Sequence, residues 1–93
     1  MRPVTTPLWH DVTIVNELGL HARAAARLAQ VAGQASGEID LVFGSERIDA
    51  KQVIDILTLA AGRGDTLRVV AGAERDRPVL NQIVALFADG FGE

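Results

Sequence analysis

The sequence predicts an α+β domain in the order β-α-β-β-α-β-α, with helices covering one face of a mainly antiparallel sheet. Three observations lead there. Short segments alternate apolar and polar residues, as half-buried strands do. Other segments repeat apolar residues at i, i+3, i+4 and i+7, as amphipathic helices do, and glycine or aspartate stands at most of the joints.

The first strand is expected over residues 11–15, where Val12 and Ile14 face one way and Thr13 the other. Residues 1–10, with Pro3 and Pro7, read as an extended arm. Trp9 then packs at the sheet edge and His10 stands at the strand start as a structural residue. After a turn at 16–20, a helix over about 22–32 repeats Ala25, Leu28, Ala29 and Ala32 on one face, small enough to lie close to a sheet, with Gly33 as its stop. Residues 38–43 put Ile39, Leu41 and Phe43 on one face, and Gly44 and Ser45 turn the chain into a short strand at 46–48.

Asp49 and Gln52 have the spacing of a capping box, so a second helix is expected from about Ala50, with Ile54, Leu57 and Val53 facing inward. Gly62 and Gly64 permit the turn into a strand at 66–71, whose inward set is Leu67, Val69 and Ala71. The last helix is expected from about Asp76 to Gly90, with Pro78 in its first turn, where a missing N–H costs little. Its apolar stripe is Val79, Leu80, Ile83, Val84, Leu86 and Phe87. The run Glu74, Arg75, Asp76, Arg77 reads as a solvated loop and helix start.

Ninety-three residues that are 48% apolar support one domain, here residues 11–90, without a disulfide because there is no cysteine. No apolar run approaches a membrane span, and residues 1–7 lack the apolar core of a signal peptide, so a soluble cytoplasmic protein with no direct membrane insertion is expected. The net charge of −3, with one tryptophan, three phenylalanines and no tyrosine, disfavours a nucleic-acid binder. Two histidines without cysteine do not make a metal site, and no cofactor is implied.

The most informative segment is Gly19-Leu20-His21-Ala22-Arg23-Ala24-Ala25-Ala26. It delivers one imidazole to the start of a helix, where amides without intrahelical partners and the positive end of the peptide dipoles suit an anion. An imidazole with an ordinary pKa of about 6.5 has a free lone pair near neutrality and is a competent nucleophile. The amides of Ala22, Arg23 and Ala24, with the planar guanidinium of Arg23, form the candidate phosphate-binding set around the candidate acceptor His21.

This segment resembles the active-site motif of HPr, the histidine phosphocarrier family of the phosphoenolpyruvate-dependent sugar phosphotransferase system. The resemblance extends from about Asp11 to Phe87 through Asp49-Ala50-Lys51 and Gly64-Asp65. It implies an open-faced sandwich of four antiparallel strands in the order 1-4-2-3 with three helices on one face. It further implies phosphorylation of His21 at Nδ1 by phospho-Enzyme I, onward transfer to a sugar-specific acceptor protein, and a monomeric carrier rather than a turnover enzyme. A partner surface maps to Leu20, Ala22, Arg23, Arg27, Lys51, Gln52 and Val53, with Leu20 and Val53 as its apolar centre and Lys51 extending a positive rim.

Five positions depart from the family pattern. Ala24 replaces a common proline. Leu18 replaces a common asparagine or serine, which removes any hydrogen bond from that position to the ring. Gln52 replaces the serine that a kinase phosphorylates in several members, and Gln30 and Gly33 replace common lysines. The competing reading is a regulatory carrier of the nitrogen branch of the same family, whose phosphorylation state controls partner binding rather than sugar transport. Arg27, one turn beyond Arg23, also fits a merely solvated helix face.

Overall fold

The computed structural model describes residues 7–93. The expected arm, up to Thr6 and including Pro3, lies outside the described residues. The chain forms β1 (Trp9–Thr13), α1 (Ala22–Ala32), β2 (Ile39–Phe43), β3 (Glu46–Asp49), α2 (Val53–Thr58), β4 (Thr66–Ala71) and α3 (Arg77–Ala88), with 3₁₀ turns at Glu74–Asp76 and Gly90–Gly92. The four strands make one antiparallel sheet in the order β1-β4-β2-β3. The register pairs Trp9 with Val70, Thr13 with Thr66, Leu41 with Val69 and Leu41 with Ile48.

Period-two alternation sends Val12, Leu67, Val69, Ala71, Ile39 and Leu41 into the core beneath the helices. The opposite face is solvated and carries paired charges. Arg68 binds both Asp11 carboxylate oxygens, at 2.8 and 3.2 Å, and lies 3.7 Å over the Trp9 ring. Arg47 holds Asp40 at 2.8 Å. β1 starts two residues earlier than the apolar alternation alone indicates. Pairing with β4 carries the ladder back through His10 and Trp9, and the stacked Arg68 gives the half-exposed tryptophan its seat.

α1 follows its periodicity: Ala25, Leu28, Ala29 and Ala32 are buried, as is Ala24. Complete burial of Leu28 contributes roughly 2 to 3 kcal/mol. α3 buries Val79, Leu80, Ile83 and Phe87, while Val84 and Leu86 are only partly covered.

Three sequence expectations are corrected. There is no capping box before the second helix: Asp49 Oδ1 accepts the Lys51 amide at 2.9 Å in a tight turn, and α2 starts only at Val53 with no side-chain cap from Gln52. That later start sets a different phase. Ile56 becomes the buried residue of α2, Val53 and Leu57 are half-buried, and Ile54 points outward, 72% exposed.

The third correction concerns Asp76, which is buried rather than solvated. Its carboxylate accepts the Ser36 amide at 3.0 Å, the Ser36 hydroxyl at 3.3 Å and the Gly37 amide at 2.8 Å, so it ties the start of α3 to the loop after α1. Burial pushes this carboxyl up, but the bonds from Gly37 and Ser36, helped by Arg75, outweigh it and hold the carboxyl below the usual aspartate range. Asp76→Ala orphans both amides and is expected to lower the melting temperature by roughly 10 °C at pH 7. A carboxyl depressed on folding contributes stability that is complete above its unfolded pKa of about 3.9 and is lost as pH falls through the lower folded value. The difference between parent and variant, followed by thermal melts across pH, therefore narrows only in strong acid.

Candidate functional site

The turn before α1 is fixed from two directions. The Gly19 amide bonds to the Asn16 carbonyl at 3.2 Å, and the Asn16 side-chain amide donates back to the Gly19 carbonyl at 2.8 Å. Gly19 has φ +63°, and a Cβ there would lie 2.8 Å from both the Ala61 carbonyl oxygen and the Gly62 Cα. Only glycine fits that approach. The adjoining Leu20 amide then bonds to the Ala61 carbonyl at 3.1 Å, and the Leu20 side chain enters the core.

His21 follows as the N-cap residue of α1, in extended conformation and with no capping hydrogen bond from its side chain. The first α1 bond runs from the Ala25 amide to the His21 carbonyl at 2.8 Å, so the amides of Ala22, Arg23 and Ala24 precede the intrahelical ladder. No acidic side chain occupies that first turn. The imidazole is 24% exposed and Arg23 is 64% exposed, which leaves both accessible beside the open helix end.

The ring's partner comes from a segment that no motif near His21 points to. After α3 the chain makes a 3₁₀ turn in which Phe91 adopts φ +58° and buries its ring edge-on against Phe87, with centroids 4.9 Å apart. Arg27 donates to the Phe91 carbonyl. This turn extends the packed unit beyond residue 90 and carries Glu93 to His21, where the carboxylate bonds to Nε2. Asn16 donates to the other carboxylate oxygen at 3.3 Å, and Arg23 stands 3.9 Å away. The hydrogen bond with His21 is the main cause that holds the Glu93 carboxyl below the usual glutamate range. Burial opposes this, while Asn16 and the attraction of His21 and Arg23 reinforce it. Leu18 donates no hydrogen bond to the ring, and Glu93 contacts it instead.

Glu93, which contacts His21, also lines an open groove of about 500 Å³ together with Leu18, Arg23, Arg27 and Arg63. The structure therefore brings His21 and Arg23 together at Glu93, with Arg27 beside Arg23 in the groove wall. Lys51 is not part of this group. Its ammonium donates to the Ala35 carbonyl at 3.0 Å, beyond the far end of α1, and eleven helical residues span about 16 Å. Gln52 is exposed and Val53 half-buried at the start of α2. Leu20, at 5% exposure, offers no apolar surface to a partner, because its side chain anchors the turn; the exposed apolar residue of α2 is Ile54.

Comparison with known proteins agrees with this arrangement. Residues 9–89 match the family model described as the PTS HPr component phosphorylation site. The phosphocarrier protein HPr of Cupriavidus necator is 37% identical over 86 residues, which cover 92% of this chain and 97% of that protein. The phosphocarrier protein NPr of Shewanella violacea is 39% identical over 88 residues, covering 95% and 97%. Among solved structures, HPr-C-His from Thermoanaerobacter tengcongensis superposes with a TM-score of 0.86 at 28% identity, covering 91% of this chain and 96% of that one. With its 1-4-2-3 antiparallel sheet and three helices, the chain belongs to the HPr family of phosphocarrier proteins of the phosphotransferase system, carriers rather than catalysts.

Proposed function

We propose that the chain accepts a phosphoryl group on His21 Nδ1 from phospho-Enzyme I and passes it to a sugar-specific acceptor protein, acting as a cytoplasmic monomer. The observation that carries this reading is the partly exposed imidazole at the N-cap of α1, beside three amides that precede the helical ladder. A phosphoryl group on the ring would meet those amides and the helix dipole, both of which favour negative charge. Positioning and charge stabilisation are the main protein contributions to phosphoryl transfer, and this end of α1 offers both. Arg23 is only loosely held by Glu93, so its guanidinium can turn to the incoming phosphate. Docking proteins would meet Arg23 and Arg27 as the positive part of the surface and Ile54 as an exposed apolar part.

Incubation with phosphoenolpyruvate and Enzyme I is expected to add one acid-labile phosphoryl group to the intact mass. In the same assay Arg23→Ala should slow uptake about ten- to a hundredfold, the weight of one hydrogen bond to a charged group. An unchanged rate in that variant would remove Arg23 from the transfer step, and an unmodified parent chain would overturn the carrier reading.

A second reading has its own support. The identity to an NPr, 39%, is close to the 37% to an HPr, and Gln52 lacks the hydroxyl on which kinase control of several members depends. Under that reading the phosphorylated and unphosphorylated forms bind a regulatory partner differently and no sugar acceptor is loaded. Discharge of the phosphorylated chain by sugar-specific acceptors separates the two.

A further inference from the structure

We propose that Glu93 is a positioning residue for phosphoryl transfer: its carboxylate, oriented by Asn16, holds the His21 proton on Nε2 and so presents Nδ1 as the nitrogen with the free lone pair. The inference rests on the reading of His21 as the phosphoryl acceptor and assigns a role to a residue outside the motif.

The two ring nitrogens of a neutral imidazole share one proton, and the hydrogen bond made by one nitrogen sets the character of the other. A carboxylate is acceptor-only when ionised. Glu93 against Nε2 therefore requires a proton there, so that in the neutral ring Nδ1 is the nitrogen left bare. The carboxyl is held below the usual glutamate range by this bond, so it is ionised at neutral pH. Its geometry is fixed from the other side. Asn16 is buried and spends its amide group on the Gly19 carbonyl and on Glu93, while its own Oδ1 has no partner among the described residues. The same asparagine thus sets both the turn that delivers His21 and the carboxylate that orients it. The buried Phe91 and the bond from Arg27 to its carbonyl hold the segment in place.

The transfer balances without release of a proton. The Nδ1 lone pair forms the new N–P bond while the N–P bond of the donor phosphohistidine breaks, and its electron pair returns to the donor imidazole. His21 becomes a phosphoimidazolium that still carries its Nε2 proton, now on a cationic ring whose hydrogen bond to the carboxylate is stronger than before. When the group moves on, the bonding pair returns to Nδ1 and the proton stays where it was. Glu93 neither takes nor gives a proton.

The test pairs nitrogen NMR of the unphosphorylated chain with transfer kinetics, in the parent, Glu93→Ala and Glu93→Gln. In the parent the ring nitrogen shifts should report a single form protonated at Nε2, with that proton slow to exchange. Glu93→Ala should admit the Nδ1-protonated form, release the slow proton, and lower the transfer rate from phospho-Enzyme I about ten- to a hundredfold, mainly in kcat. Glu93→Gln retains an acceptor oxygen and should restore the tautomer and part of the rate. Identical nitrogen shifts in Glu93→Ala and parent, or an unchanged transfer rate, would overturn the proposal while leaving His21 as acceptor. Failure of the parent chain itself to take up phosphate would overturn both readings.

Discussion

His21→Gln is expected to abolish phosphoryl uptake from phospho-Enzyme I while leaving the fold intact. Glutamine matches much of the imidazole's size and polarity but has no nitrogen with a nucleophilic lone pair, so the loss is one of chemistry. The His21 side chain caps no helix amide and is partly exposed, and its one partner among the described residues is Glu93, to which a glutamine amide can also donate. A melting temperature within a few degrees of the parent, with no adduct in intact mass, is the expected pair of results. An acid-labile adduct that persists in the variant would move the acceptor elsewhere, and the other histidine of the chain is His10 in β1.

Gly19→Val should have the largest effect on stability and should disable the site at the same time. The left-handed backbone there costs a β-branched residue about 1 to 2 kcal/mol before any contact is considered. The added Cβ would then overlap the Ala61 carbonyl and the Gly62 backbone, neither of which is the flexible end of a side chain. Separating the two segments breaks the Leu20 to Ala61 hydrogen bond and draws Leu20 from the core. A total of roughly 3 to 5 kcal/mol, or a melting temperature lowered by about 15 °C or more, follows. Calorimetry decides it: a decrease of under about 3 °C would show that the approach of Gly19 to residues 61–62 is not required.

Local sequence carried most of the scaffold. The helical spacing of Ala25, Leu28, Ala29 and Ala32 and the strict alternation of Leu67, Val69 and Ala71 each depend on one segment facing one core, and both appear as read. The start of α2 was not legible, because aspartate serves equally well as a helix cap and as the acceptor of a tight turn, and only the neighbouring chain selects between them. With that start went the facing of Ile54 and Ile56. Asp76 misled for a related reason. Inside a run of charged residues nothing marks the one whose amide partners, Ser36 and Gly37, lie about forty positions earlier. At the candidate site, the helix start and its histidine were visible as a short motif, whereas Glu93 depends on Phe91 turning the chain back after α3. No pattern near His21 announces a partner so far along the chain.

The distance between His21 and Glu93 along the chain also sets an order of events during synthesis. The two are 72 residues apart, and at about 5 to 20 residues per second the ribosome needs about 4 to 14 seconds to pass from one to the other. Through that interval the imidazole lacks the Glu93 carboxylate, and for most of it α3, which supplies Ile83 and Phe87 to the core, is not yet made. Assembly of the histidine's surroundings therefore waits on α3 and the turn that follows it. Chains that lack the segment after α3 carry the motif without the carboxylate that contacts its histidine.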